Sequence, residues 1–257
     1  MIAQLSRKMQ NKSAALLLSI ESRLGRIMAL WLLLAGLASA ARIAASPIRA
    51  AGPDLSTFAP YLLLVLAPLA SMLLALRWFA DGDRQPQPSF RLAVLGSWRH
   101  VSGHQAKRHA LYGAGGVMVS LLIGMLLNVP VRAAEYLAAM PALSGPVPGW
   151  LATLHALMTI DVVVLTSLYT IAFVAALRRV PLFPRLLVAI WTVDLAMQLL
   201  TAQLVAEAPG LPPAVATALH SLLEGNVTKV LISIGLWLPY LLLSKRVNVT
   251  YRHRVPA

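Results

Sequence analysis

The chain has 257 residues, 58% hydrophobic and only 12% charged, with a mean hydropathy of +0.73. A water-soluble domain carries roughly 25% charged residues, so the composition places this chain in the membrane class. The absence of cysteine excludes disulfides, thiolate metal sites and a cysteine nucleophile, and a net charge of +13 raises the question of where the cations sit.

Residues 1–26 are basic and amphipathic: "MIAQLSRKMQNKSAALLLSI" sets apolar side chains against Arg7, Lys8 and Lys12, the pattern of a segment lying on a membrane surface. A spanning helix needs about 20 predominantly apolar residues. Six stretches qualify: Ile27–Ala45, Phe58–Leu76, Leu111–Pro130, Leu157–Leu177, Leu186–Val205 and Ala214–Leu243. They are Ala/Leu-rich and lack strand alternation, so the predicted fold is all-α, a polytopic bundle of six transmembrane helices. The first contains Ala38-Ser39-Ala40, a pattern signal peptidase accepts. The 26 residues before that stretch are long for a signal n-region, so a retained signal-anchor helix is expected. The intervening loops concentrate Pro, Gly and charge: "PDLST", "DGDRQPQPS", "PALSGPVPG", "RRVPLFPR" and "APGLPP". Five regions follow: a cytoplasmic N-terminus (1–26), two helices (27–79), a basic cytoplasmic linker (80–107), a four-helix membrane domain (108–252) and a tail (253–257).

Under strict alternation, 18 of the 22 Lys and Arg residues fall on one side of the bilayer. Arg42, Arg49 and Arg132 fall on the other, and Lys229 lies inside a span. That is a positive-inside pattern with both termini cytoplasmic. The charge then reads as topology and attraction to anionic lipid headgroups, and nucleic acid is not an expected partner.

Depth along a helix follows from a rise of about 1.5 Å per residue. Counted from Leu243, Lys229 lies roughly 21 Å in and Glu224 roughly 28 Å in, so Glu224 reaches the outer interface. Asp161, roughly 24 Å from Leu177, sits near the level of Lys229, and a direct Asp161–Lys229 pair is expected. Asp194 lies about 12 Å from Leu186, near the midplane, with Gln198 on the same face at i+4. An intramembrane carboxylate can serve as a proton relay or substrate ligand, or as a hydrogen-bonded tie between helices. Asn226 and Ser233 share the Lys229 face. In the third span Gly116, Ser120 and Gly124 recur every fourth residue and lead to Asn128, a pattern of close helix packing.

"GAGG" lacks both the spacing and the preceding strand of a phosphate loop. His100, His104 and His109 include an i, i+4 pair, but Gly103 weakens a helix there and basic neighbours disfavour a cation, so no metal or cofactor is expected. Asn226 and Asn248 begin glycosylation-like "NVT" triplets, one in lipid and one in cytoplasm, and neither is expected to carry sugar.

Three stretches, "LYGAGGVMVSLLIG", "RRVPLFPRLLVAIW" and "WLPYLLLSKRVNVTY", carry a resemblance. Trp237, Pro239, Tyr240, Ser244, Lys245, Arg246, Val247 and Thr250 stand where a closing motif has them, and Tyr251 stands where Phe is commoner. Over roughly Arg108–Arg252 the chain resembles the bacterial inner-membrane group catalogued as domain of unknown function 2569. The resemblance implies a four-helix membrane fold in the inner membrane, leaves the first two spans as an addition, and supplies no catalytic residues. Read from the residues themselves, Trp237 and Tyr240 suit an interfacial belt and "SKR" a stop in the headgroups, with cytoplasmic docking the alternative.

The function expected is that of a non-enzymatic integral inner-membrane protein in envelope assembly, stress response or support of a membrane-protein partner. The alternative is a small-solute or proton-coupled transporter using Asp194, Asp161, Glu224 and Lys229. Transporters are often built from inverted repeats, and only "ALRW" after the second span and "ALRR" after the fourth echo one.

Overall fold

The computed structural model of the protein describes residues 12–13, 15–46, 55–90 and 92–257. Of the expected surface stretch, residues 1–11 and 14 lie outside the described residues, as do residues 47–54 with Arg49. Chain order gives α1 (Leu24–Ala45), α2 (Leu55–Trp78), β1 (Trp98–His100), a short α3 (Gly103–Lys107), α4 (Met118–Ala139), α5 (Gly149–Leu177), α6 (Phe183–Ala206), α7 (Pro213–Leu243), α8 (Lys245–Arg252) and β2 (Arg254–Pro256). Six of these helices, α1, α2 and α4 to α7, are long and apolar enough to cross a membrane, which makes this a multi-pass membrane protein.

The axis of the bundle is α5. It is the most enclosed of the six spans, and it packs against α2, α4 and α6. Along its last turns Ala172, Phe173, Val174, Ala175 and Ala176 are all fully buried. The flanks are α1, against α2 and α4, and α7, against α6.

The third span departs from the sequence expectation at both ends. Gly113 and Gly116 have φ of 109° and 68°, in the left-handed region that favours glycine. "LYGAGG" is therefore a turn, and α4 starts at Met118 rather than Leu111. At the other end Pro130 forfeits one backbone hydrogen bond without stopping the helix, which runs on to Ala139. Arg132, expected in a loop, is thereby drawn into the span, about 10 Å short of its end.

The small-residue stripe does not pack as expected. Gly116 precedes the helix, Ser120 and Gly124 are exposed, and a Cβ at Gly124 would meet nothing within 4 Å. Every fourth position drifts by about 40° around a helix, so a stripe facing outward at 120 and 124 has turned inward by 132. The buried face is Met118, Leu122, Met125, Val129, Ala133 and Tyr136.

The linker (80–107) and the tail (253–257) fold together into a cap on one end of the bundle. β1 pairs antiparallel with β2, with Arg99 opposite Val255. Between them and the helices lies α8, whose residues Val247 to Arg252 are all buried. Ser244 caps α8 by accepting the Val247 N–H at 3.5 Å. Arg246 donates to the carbonyls of Leu111 and Gly113 at 3.2 and 3.4 Å, and the Gly113 N–H donates to Thr250 Oγ1 at 3.0 Å. Of "SKR" only Lys245 is exposed, and Arg246 and Thr250 fasten α8 onto the glycine turn. Trp237 and Tyr240 meet edge to face at 5.8 Å beside Pro239, which α7 accommodates without breaking. Gly82 fits only because it has no side chain: a Cβ would come within 2.6 Å of Val180 Cγ2 and 2.8 Å of the Arg178 carbonyl.

Tyr251 is fully buried, meets the Phe183 ring at a tilt with centroids 5.1 Å apart and donates to the Ala176 carbonyl at 2.8 Å. Y251F keeps the ring and removes one donor from a carbonyl that still accepts the Arg179 N–H at 3.1 Å, and should lower stability by about 0.5–1.5 kcal/mol in thermal unfolding. Asp83 accepts from Lys107 at 2.7 Å, a hydrogen bond that holds its carboxyl below the ordinary value of 3.8. A lowered carboxyl stabilises the fold above its unfolded value and loses that contribution as pH falls through its folded one. Amide exchange in α3 should therefore accelerate on acidification below about pH 4 in the wild type, and not in D83N.

Candidate functional site

Four spans each send polar side chains to one level of the bundle. On α4, Asn128 and Arg132 lie one turn apart, and Arg132 Nε donates to Asn128 Oδ1 at 3.1 Å. The guanidinium then forks. Its Nη1 donates to Asp161 Oδ2 of α5 at 3.3 Å, and its Nη2 to Asp194 Oδ2 of α6. Its Cζ lies 5.8 Å from the ring centroid of Tyr169, two turns beyond Asp161, whose hydroxyl donates to Asp194 Oδ2 at 3.1 Å. Gln198, one turn from Asp194, donates to Asp161 Oδ1 at 3.2 Å and to Asp194 Oδ1 at 3.4 Å. Its own carbonyl accepts from Asn226 of α7 at 3.4 Å.

One arginine therefore joins two carboxylates in the middle of the helices. The side chain of Asp194 is 0% exposed, and those of Arg132 and Asp161 are 11% exposed. Charge-assisted bonds of this kind are the strong ones, and each carboxylate has a second donor as well. The formal charge of the trio is one negative in excess. A crevice of about 20 Å³, lined by Arg132, Glu135, Tyr136, Asp161 and Asn226 among others, reaches its edge. That is room for a water molecule and nothing larger.

The expected Asp161–Lys229 pair is not formed. Asp161 takes Arg132, and Lys229 Nζ binds Glu135 Oε1 at 2.6 Å and Asn226 Oδ1 at 3.4 Å. Height along a helix does not determine which way the helix is rotated. Lys229 joins the network only at its rim, through Asn226. Glu224 is exposed and stays outside it, its backbone carbonyl accepting from Thr228. Ser233 is half-buried and also outside it, donating to the Lys229 carbonyl at 2.9 Å. The residues that sequence reasoning missed are Arg132, Glu135 and Tyr169. The available signal was the i+4 series running from Asn128 to Arg132 across Pro130.

The Lys229 and Glu135 side chains are 62% and 37% exposed. Both lie in spanning helices, where outward-facing surface meets the bilayer and a lone charge costs about 2.5–3.5 kcal/mol at the centre. K229Q and E135Q, each leaving one charge unpaired, should lower stability by up to about that much, and the E135K/K229E swap should stay near wild type.

A second polar group lies nearer the end opposite the cap. The Tyr136 hydroxyl bonds Thr159 Oγ1 at 2.8 Å and His155 Nε2 at 3.4 Å, with the Tyr61 ring edge-on at 6.3 Å. Beyond it Arg42, Ser46 and Thr57 donate to the carbonyls of Met140, Ala142 and Leu143, fastening α1 and α2 to the α4–α5 loop. An apolar groove of about 430 Å³ between α1, α2 and α4 has no charged group in its lining. Among the described residues no group of three or more His, Cys, Asp or Glu side chains could hold a metal ion. No family model, curated protein or solved structure matches the chain.

Proposed function

We propose that the protein is a non-enzymatic component of a bacterial inner membrane, with both termini cytoplasmic, that supports envelope assembly, stress response or a membrane-protein partner. The cation-rich segments belong to the cap end of the helices, which supports placing that end in the cytoplasm. The motifs "WLPYLLLSKRVNVTY" and "LYGAGGVMVSLLIG" support membership, over Arg108–Arg252, in the group of domain of unknown function 2569.

The observation that carries this reading is how the intramembrane charges are spent. Arg132, Asp161, Asp194 and Gln198 bond to one another across α4, α5 and α6, with Asn226 adding α7. A network satisfied by its own members ties helices in register, and the crevice beside it is too small for a solute.

One observation favours proton-coupled transport as a second reading. Two carboxylates face a single guanidinium, and a proton is the smallest ion that could balance the excess, reaching Asp161 through the water-sized crevice. A deletion strain grown across pH, osmolarity and envelope stress, and complemented with D194N, tests both. Complementation under every condition fits a structural tie. Loss of complementation by a variant that still accumulates in the membrane would move the assignment to proton coupling.

A further inference from the structure

A pocket of about 220 Å³ opens in the cap, away from the intramembrane network, between the "QPQPS" loop, the start of α6 and the β1–β2 ribbon. Arg185, Arg252 and Arg254 line it with His100, Gln87 and Ser89, and among the described residues no acidic side chain contributes. Arg252 and Arg254 are only 4% and 6% exposed. The Arg252 guanidinium donates to Asn248 Oδ1 and to the Ala93 carbonyl, each at 3.3 Å. Arg185 donates to the carbonyls of Phe90 and Pro181. The two Arg252 acceptors are neutral, so they orient its guanidinium without cancelling its charge. Burial, then the neighbouring Arg254 and Arg185 charges, push Arg252 down to about 10. Like charges held together in a partly desolvated place repel one another unless an anion sits among them.

We infer that this pocket binds the phosphate group of an anionic phospholipid headgroup at the membrane surface. Guanidinium forks match phosphate oxygens two at a time, which makes arginine the side chain suited to this chemistry. The volume suits a headgroup and falls below that of a cofactor site. The lipid as source follows from the rim. Phe90, Val94 and Leu95 are 71%, 49% and 47% exposed, and the Phe90 and Ala93 carbonyls are the ones bonded to Arg185 and Arg252. The loop that presents apolar side chains outward is thus fastened to the pocket's own arginines. Arg185 lies in the first turn of a spanning helix, which sets the pocket at headgroup level. Apolar side chains entering the acyl boundary beside a cationic pocket is the arrangement of a surface that holds lipid. A free phosphate ester offers the same group without the tails.

The full-length protein in nanodiscs of phosphatidylglycerol or phosphatidylcholine separates these sources, with glycerol phosphate titrated into the phosphatidylcholine sample. Wild type should prefer phosphatidylglycerol, with a raised Tm and retained lipid in native mass spectrometry. R254Q and S89D should each weaken that preference about fivefold or more, the effect of one cation near an anionic surface. R99Q, a charge loss on β1 outside the pocket, should weaken it less than about twofold. S89D keeps every arginine, so its loss cannot be put down to misfolding of the cap. A Tm rise with glycerol phosphate equal to that with the lipid would overturn the lipid source and assign the phosphate site to a soluble ester. Equal Tm in both lipids for wild type with no response to glycerol phosphate, or a lipid preference retained by both pocket variants, would overturn the site.

Discussion

R132M should lower the stability of the protein in detergent or bicelles by about 3–5 kcal/mol. The methylene stem is replaced by an apolar chain of similar length, so packing changes little. What is lost is the single cation between Asp161 and Asp194, which Arg132 holds from α4. Two carboxylates then face each other where Asp194 has no exposed surface. Removing one partner of a buried ionic group leaves the desolvation cost with nothing to offset it. D161N or D194N alone leaves one cation opposite one anion, so each should cost less than half as much as R132M. A scan of unfolding temperature across the three proteins checks the order.

The second large effect concerns acceptors rather than charge. Asp194 receives Arg132, the Tyr169 hydroxyl and the Gln198 amide, donors from three helices. D194A removes all three acceptor contacts and leaves a void inside the bundle, and should cost about 3–5 kcal/mol. D194N keeps the shape and one carbonyl oxygen, and should cost about 1–2 kcal/mol. If both variants unfold together near wild type, Asp194 ties nothing.

The distinction bears on function. A site whose members serve only to hold α4, α5, α6 and α7 in register should tolerate the conservative amide in the cell. A site that exchanges a proton should not. Stability and complementation therefore have to be measured on the same D194N protein, because a folded but inactive variant and an unfolded one carry opposite meanings.

The spans were legible because hydropathy and length dictate them; α5 to α7 end within a residue of where the apolar runs stop. The face shared by Asp194 and Gln198 was legible from i+4 spacing alone. Arg132 was not. Pro130 reads as a stop signal in water, while a helix enclosed by others can carry it through, and nine further residues of α4 then reverse the environment of the arginine. The partner of Lys229 was misread for another reason. Rise per residue gives height, but rotation is set by packing, and α7 turns Lys229 toward Glu135 on the outside of α4. The cap was hidden because its strands are three residues each, too short for alternation to register, and because Thr250 and Tyr251 act through the backbone of residues far away in sequence.

The triple variant R132M/D161N/D194N, unfolded beside R132M in the same bicelles, addresses most directly whether one guanidinium balances two carboxylates inside the membrane. With the anions removed together with the cation, no buried charge is stranded, and the triple variant should recover at least about 2 kcal/mol of the R132M loss. A triple variant no more stable than R132M, with the single losses adding up, would mean that these three side chains are not electrostatically joined.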